Sequence, residues 1–255
     1  MWILDTVVVA FSMFSALPMP RVEWDENNMR YALCAFPLIG VVIGLACWLW
    51  SWLGGLLHLP GLLRGAGWCL LPLLLTGGIH MDGFCDTCDA LASHADPARK
   101  QEILKDPRLG AFGAIRLGMY LIACFALWAC LPAYRPLPVL LGFCLSRSLS
   151  GFAVTRFPLA GSTGLAHTFA QAADKRRAGI VLLVMALILN GCLFLCGLEG
   201  AAMAAAAWCV FAYYRRMAEK QFGGLSGDLA GWFLQAAELW MLGALCLVQY
   251  GEAML

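Results

Sequence analysis

The sequence predicts an all-α fold: a polytopic integral membrane bundle of about seven or eight helices, with its chemistry in loops on one side. Three observations carry that expectation. Of 255 residues, 62% are hydrophobic and 13% charged, whereas soluble domains run near about 45–50% and about 25%. The apolar residues gather into runs close to the roughly 20 positions a helix needs to cross a bilayer. The loops between the runs alternate in Lys and Arg content. A net charge of +1 supplies no basic excess for nucleic acid, and a soluble globular domain or a disordered chain is excluded by composition. Residues 1–255 read as one membrane-embedded catalytic domain.

In order, the runs fall near 3–19, 31–57, 62–81, 114–131, 137–154, 179–197, 200–217 and 229–249, each long and apolar enough to read as a helix. The first is short and ends in Pro18 and Pro20, so it is expected to lie in the interface or to re-enter, with a full crossing left open. It opens MWILDTVVVA with no basic residue before the apolar stretch, and reads as retained structure rather than a cleaved signal. Twelve cysteines are scattered mostly inside these runs, where cysteine acts as a small hydrophobe rather than a disulfide framework. Trp48, Trp50, Trp52, Trp128, Trp208, Trp232 and Trp240 mostly mark membrane interfaces or lipid contact, and the Ala201–Ala207 run is close-packing helix surface.

The basic residues set the orientation. Arg21 and Arg30 lie in one loop; Arg99, Lys100, Lys105 and Arg108 in another; Arg156, Lys175, Arg176 and Arg177 in a third; Arg215, Arg216 and Lys220 in a fourth. The opposite loops hold only Arg64 and Arg135. The positive-inside rule therefore places 82–113, 155–178 and 215–228 in the cytoplasm. The acids Asp82, Asp86, Asp89, Asp96, Glu102, Asp106, Asp174, Glu219 and Asp228 fall on that same side.

The most informative stretch runs from Thr76 to Asp89. Asp82, Asp86 and Asp89 are spaced i, i+4 and i+7, which puts three carboxylates on one helix face. Like charges so close repel, more so as the dielectric falls near a membrane. A divalent cation is the economical counter-charge, and hard oxygen ligands suit Mg²⁺ or Mn²⁺ together with substrate phosphate. The competing reading is a solvated acidic face neutralised by Arg99, Lys100 and Lys105. A second stretch, Gly223-Gly224-Leu225-Ser226-Gly227-Asp228, repeats the Gly-Gly-x-x-x-Asp spacing of Gly77, Gly78 and Asp82. Glycines admit a ligand close to the backbone, and a helix N-terminus attracts phosphate. Metal and pyrophosphate together are the parts of phosphoryl transfer. Asp106, Arg108 and the following glycines could hold a polyanion or form a plain turn. Arg116 and Arg147 lie within apolar runs, where each would clamp phosphate or pair with an acid such as Glu238; for Arg147 the clamp is favoured. His80 could be a base or a backbone-satisfied helix-end residue. Cys85-x-x-Cys88 has no second pair, so zinc is not expected.

Gly77-Gly78-x-His80-x-Asp82-Gly83-x-x-Asp86-Thr87-x-Asp89 resembles the signature of the cobalamin synthase family, the adenosylcobinamide-GDP ribazoletransferases. Pro18-x-Pro20, Phe36-Pro37-Leu38-Ile39-Gly40, Asp106-x-Arg108-Leu109-Gly110, Ser146-Arg147 and Gly227-Asp228-x-x-Gly231 with Glu238 extend the resemblance along the chain. Two positions depart from it: Ala90 stands where the family usually has Gly, and Gln235 where it tends to carry Glu. The resemblance implies attack by a hydroxyl of α-ribazole, or of its 5′-phosphate, on the cobinamide-bearing phosphorus of adenosylcobinamide-GDP, with GMP leaving. It further implies Mg²⁺ on Asp82, Asp86 and Asp89, with Asp228 a further ligand or the base and His80 a second candidate for the base. Arg108 and Arg147 would offset charge on GMP, and Gly223, Gly224 and Gly227 would bring backbone donors to it. Gly77, Gly78, Asp106 and Glu238 complete the implied substrate-binding set. The implied setting is a bacterial cytoplasmic (inner) membrane, with association with a second copy or with other enzymes of the pathway left open. Two other readings are a CDP-alcohol-type phosphotransferase, whose Asp-Gly-x-x-Ala-Arg run is missing after Asp82-Gly83, and a cation or solute transporter, which would place ionisable groups at mid-span.

Overall fold

Inside lipid a backbone amide has no partner except its own helix, so long apolar runs become helices. A computed structural model describes residues 2–160 and 165–254. Its elements are α1 (Trp2–Phe14), α2 (Glu26–Met29), α3 (Ala32–Leu56), α4 (Gly61–Thr76), α5 (Ile79–Ala92) and α6 (Pro97–Ile103), followed by α7 (Ala111–Ala129), α8 (Pro136–Arg156), α9 (Leu165–Ala172), α10 (Lys175–Leu195), α11 (Leu198–Phe222) and α12 (Gly227–Ala253). No strand occurs among the described residues; one isolated bridge joins Leu159 to Leu225. The all-α expectation holds.

Five helices, α3, α7, α8, α10 and α12, are long and apolar enough to span a membrane, and α4 with α5 forms a sixth unit bent by 95°. The apolar run at 3–19 is helical only as far as Phe14, and the 13 residues of α1 are too short to cross the hydrocarbon core. The run read as 62–81 does not continue straight either. It breaks at Gly77 and Gly78, both left-handed with φ of 66° and 78°, a conformation that favours glycine. α11 has the length of α3, at 25 residues each. Glu199 at one end and Arg215, Arg216, Glu219 and Lys220 at the other make it less apolar.

At the centre stands α8, buried almost continuously from Pro138 to Thr155; a helix apolar all round belongs inside a bundle. α3 reaches its backbone through Gly40 and Gly44. A Cβ on Gly40 would stand 2.6 Å from the Phe143 carbonyl oxygen, and one on Gly44 2.7 Å from Leu140 Cα. Small residues four apart permit this approach, which van der Waals packing then holds.

The two ends of the bundle are tied differently. At one end Glu199 accepts from Arg135 Nε at 3.1 Å and from Gln249 Nε2 at 3.0 Å, while Gln249 exchanges two 3.0 Å bonds with the Ala133 backbone. At the other end lie the loops rich in basic residues. Arg30 pairs with Asp174 at 3.2 Å, Gln101 Nε2 donates to the Phe222 carbonyl at 2.7 Å, and Lys100, only 4% exposed, donates to Gln221. Leu225 N donates to the Pro158 carbonyl at 2.8 Å and Ala160 N to the Leu225 carbonyl at 2.9 Å. Residues 161–164, within the 155–178 loop, lie outside the described residues.

Candidate active site

The site is built on the broken crossing. α4 and α5 follow α7 from its end back to its start: Gly65 abuts Ala129, Phe84 packs against Tyr120 at 5.3 Å between ring centroids, and Asp89 reaches Gly110 and Gly113. Irregular backbone at such a break is tolerated where protein buries it or a cavity meets it. The start of α5 presents free amides and the positive end of a helix dipole, and Asp82 lies in that first turn. The second Gly-Gly turn works alike. Gly223, with φ 71°, ends α11, Ser226 caps α12 by accepting from Leu229 N at 3.3 Å, and Asp228 follows in the first turn.

Two further glycines bring these corners together. A Cβ on Gly83 would meet Asp228 Cα at 2.7 Å, and one on Gly231 would meet the His80 carbonyl oxygen at 2.7 Å. α5 and α12 therefore touch backbone to backbone. Through that contact Asp82 and Asp228 join Asp89 as the charged neighbours of Asp86. Asp82 is exposed, while Asp86 and Asp228 are half-buried. Ser226 Oγ donates to Asp228 Oδ2 at 3.4 Å. No group of three or more His, Cys, Asp or Glu among the described residues is set to hold a metal ion. The oxygen donors of Asp82, Asp86 and Asp228 nevertheless suit Mg²⁺, which typically takes one or two carboxylates and completes its shell from water and substrate phosphates.

Asp89 departs from the expected ligand set. Its Oδ2 accepts from Gly110 N and its Oδ1 from Gly113 N, both at 2.8 Å. It is the N-terminal cap of α7, supplied from another helix because Gly110 has no side chain to do it. A Cβ on Gly110 or on Gly113 would come within 2.4 Å of an Asp89 oxygen, so the two glycines and the carboxylate form one unit. This unit escaped sequence reasoning; the Gly110-x-x-Gly113 spacing beside an acid-rich helix is its only trace. It also fixes the loop before α7. There Asp106 and Arg108 pair with each other, Nε to Oδ1 at 2.9 Å and an Nη to Oδ2 at 2.8 Å, and hydrogen bonding to Arg108 draws the Asp106 carboxyl down to about 2. Arg108 remains 86% exposed.

Arg147 does not reach this site as expected. It is 1% exposed and its Nη1 contacts Glu238 Oε1 at 2.6 Å, the Phe143 carbonyl at 3.0 Å and Ser146 Oγ at 3.2 Å. The rings of Phe36 and Phe143 flank its guanidinium at 5.9 and 5.7 Å. Both members of this pair were expected to bind substrate; they close on each other, the cheapest arrangement for an ion pair among helices. Arg116, by contrast, is exposed on α7. His80 is buried beside the rings of Phe14 and Phe36, with no hydrogen-bond partner on Nε2. It faces the core, not the carboxylates. Gly77 and Gly78 form the break, Gly224 packs on the Leu159–Ala160 backbone, and Gly227 opens α12 at an exposed position.

Comparison with known proteins finds relatives along nearly the whole chain. Residues 6–246 match the cobalamin-5-phosphate synthase family. A protein of Lachnoclostridium phytofermentans named adenosylcobinamide-GDP ribazoletransferase is 43% identical over 237 residues, 92% of this chain and 91% of its own. Proteins of the same name from Clostridium botulinum (strain Alaska E43 / Type E3) and Desulfitobacterium hafniense (strain Y51) are 32% and 34% identical, covering 94% and 92% of this chain and 96% and 94% of theirs. No solved structure matches. A matching family over nearly the whole length, and relatives above 30% identity across it, make this chain a member of the cobalamin-5-phosphate synthase family.

Proposed function

We propose that this chain is an adenosylcobinamide-GDP ribazoletransferase. It transfers the adenosylcobinamide phosphate group to α-ribazole, or to its 5′-phosphate, and releases GMP. A new phosphorus–oxygen bond forms to the ribazole hydroxyl, the bond from that phosphorus to the oxygen bridging to GMP breaks, and the hydroxyl proton passes to a base. The observation that carries this reading is the α5–α12 contact at Gly83 and Gly231, which sets Asp82 and Asp86 against Asp228 in a chain whose relatives bear that enzyme's name.

Asp82 and Asp86 would hold Mg²⁺, which when bound offsets the charge of the pyrophosphate and of departing GMP. Asp228, half-buried and close to both, accepts the hydroxyl proton. The start of α5 and the Gly227 amide at the start of α12 offer backbone donors to phosphate oxygens, whereas the Gly223 and Gly224 amides, expected to reach GMP, and the Leu225 amide are taken by the Ala218 and Pro158 carbonyls. Arg108, on a loop fixed by Asp89, lies free enough to swing from Asp106 to GMP. The reaction end is assigned to the cytoplasm of a bacterium, in its inner membrane, because the Lys- and Arg-rich loops share it. The exposed part of the Ala201–Ala207 run offers a face for a second copy or another enzyme of the pathway.

The test is GMP release by detergent-purified protein supplied with adenosylcobinamide-GDP and α-ribazole, with Mg²⁺ and then with EDTA. Metal-dependent GMP together with a cobalamin product is the expected result. Folded protein that makes neither product under either condition would overturn the assignment, and turnover undiminished by EDTA would remove the metal from it.

A further inference from the structure

At the end of the bundle that carries the aspartates, but on another flank, a cavity of about 450 Å³ opens between α8 and α11. None of its lining residues belongs to α5 or α12. Its wall is aromatic, made by Phe152, Phe157 and Phe211, and its mouth holds Arg215, Arg216 and Glu219. Arg215 lies 5.3 Å from the centre of the Phe157 ring and donates to Glu219 Oε1 at 3.0 Å. Arg216 makes no ion pair among the described residues, so two guanidiniums face one carboxylate and a positive charge is left over. Further cations stand at the same end: Arg156 at the close of α8 donates to the Arg176 carbonyl at 3.4 Å from the start of α10.

An apolar wall below and unbalanced guanidiniums above, where helices leave the bilayer, match one kind of molecule in shape and charge. We propose that this cavity binds an anionic phospholipid, its phosphodiester at Arg215 and Arg216 and the upper part of an acyl chain on the three phenylalanines. A guanidinium fork recognises phosphate oxygens in pairs, and basic pockets between helices at a membrane surface attract acidic head groups. A free phosphate or nucleotide would satisfy the arginines but leave the aromatic wall uncovered.

Native mass spectrometry of the full-length protein, exchanged from detergent into micelles holding phosphatidylglycerol or phosphatidylcholine, tests this. Wild type should retain phosphatidylglycerol preferentially. At about fivefold per basic residue at a membrane surface, Arg215→Gln with Arg216→Gln should weaken phosphatidylglycerol retention about thirtyfold and remove its preference over phosphatidylcholine. Arg215→Lys with Arg216→Lys should keep most of the preference. Equal retention of the two lipids by wild type overturns the proposal, as does displacement of phosphatidylglycerol by GMP, which would make the cavity a nucleotide subsite. The wild-type comparison decides the matter alone if the glutamine variant does not fold.

Discussion

Replacing Asp89 with asparagine separates the capping role described for it from the metal-binding role that its spacing suggests. In the native chain two backbone amides converge on one carboxylate, each at 2.8 Å. Asparagine keeps the shape but offers one acceptor, and turns an NH₂ toward the other amide. One charge-assisted bond is lost and the other becomes neutral; at about 1.5–3 kcal/mol for a hydrogen bond to a charged group, the cost is about 2–3 kcal/mol. That corresponds to exchange of the Gly110 and Gly113 amides faster by roughly thirty- to more than a hundredfold. Hydrogen exchange read by mass spectrometry over 104–116, together with thermal unfolding, reports it. The Mg²⁺ concentration for half-maximal activity should stay near the native value. Asp82→Asn and Asp86→Asn should behave in the opposite way, abolishing activity with little change in unfolding. If Asp89→Asn raises the Mg²⁺ requirement tenfold or more while exchange at Gly110 and Gly113 is unaltered, the capping assignment is refuted and Asp89 returns to the metal.

Gly83→Ala places a methyl 2.7 Å from Asp228 Cα, where backbone must move; overpacking of this kind costs about 1–3 kcal/mol, and turnover should fall with helical content preserved by circular dichroism. Arg147→Met or Glu238→Met alone strands a buried charge and should destabilise by about 3–5 kcal/mol, while the double substitution recovers most of that; single variants that unfold normally but lose substrate affinity would mean a phosphate clamp. The Asp106 carboxyl, held near 2 by Arg108, lies below its ordinary value, so the pair's contribution is present above about pH 4 and is lost as pH falls through about 2. Exchange of 104–110, corrected for intrinsic rate, should therefore be constant from about pH 8 down to about pH 4, and Asp106→Asn should raise it throughout that range.

Much of this was legible because it is local. The i, i+4 spacing of Asp82 and Asp86 needs only a helix, and the repeated Gly-Gly-x-x-x-Asp needs only two corners. Helix existence followed from apolar runs, which is why α3, α7, α8, α10 and α12 stand where expected. What escaped depends on which helices are neighbours. Asp89 looks like a third member of the stripe until Gly110 and Gly113 are seen to point at it. Arg147 and Glu238, 91 positions apart, could equally have been a clamp and an acid, since their mutual burial is a property of α8 packing on α12. The break at Gly77 was hidden because the run stays apolar through it, and hydropathy does not register backbone handedness.

The α5–α12 contact has a consequence for the order in which the protein becomes active. Residues about a third of the way along the chain and others near its end lie side by side, so a ribosome has released Asp82 and Asp86 long before Asp228 exists. Until α12 enters the membrane, the face of α5 around Gly83 has nothing against it, and its carboxylates stand without their partner. If the aspartates act as proposed, synthesis finishes the bundle and completes the site in the same event. Chains arrested before α12 should insert, accumulate and remain silent, giving the cell no half-made enzyme that consumes the activated corrinoid.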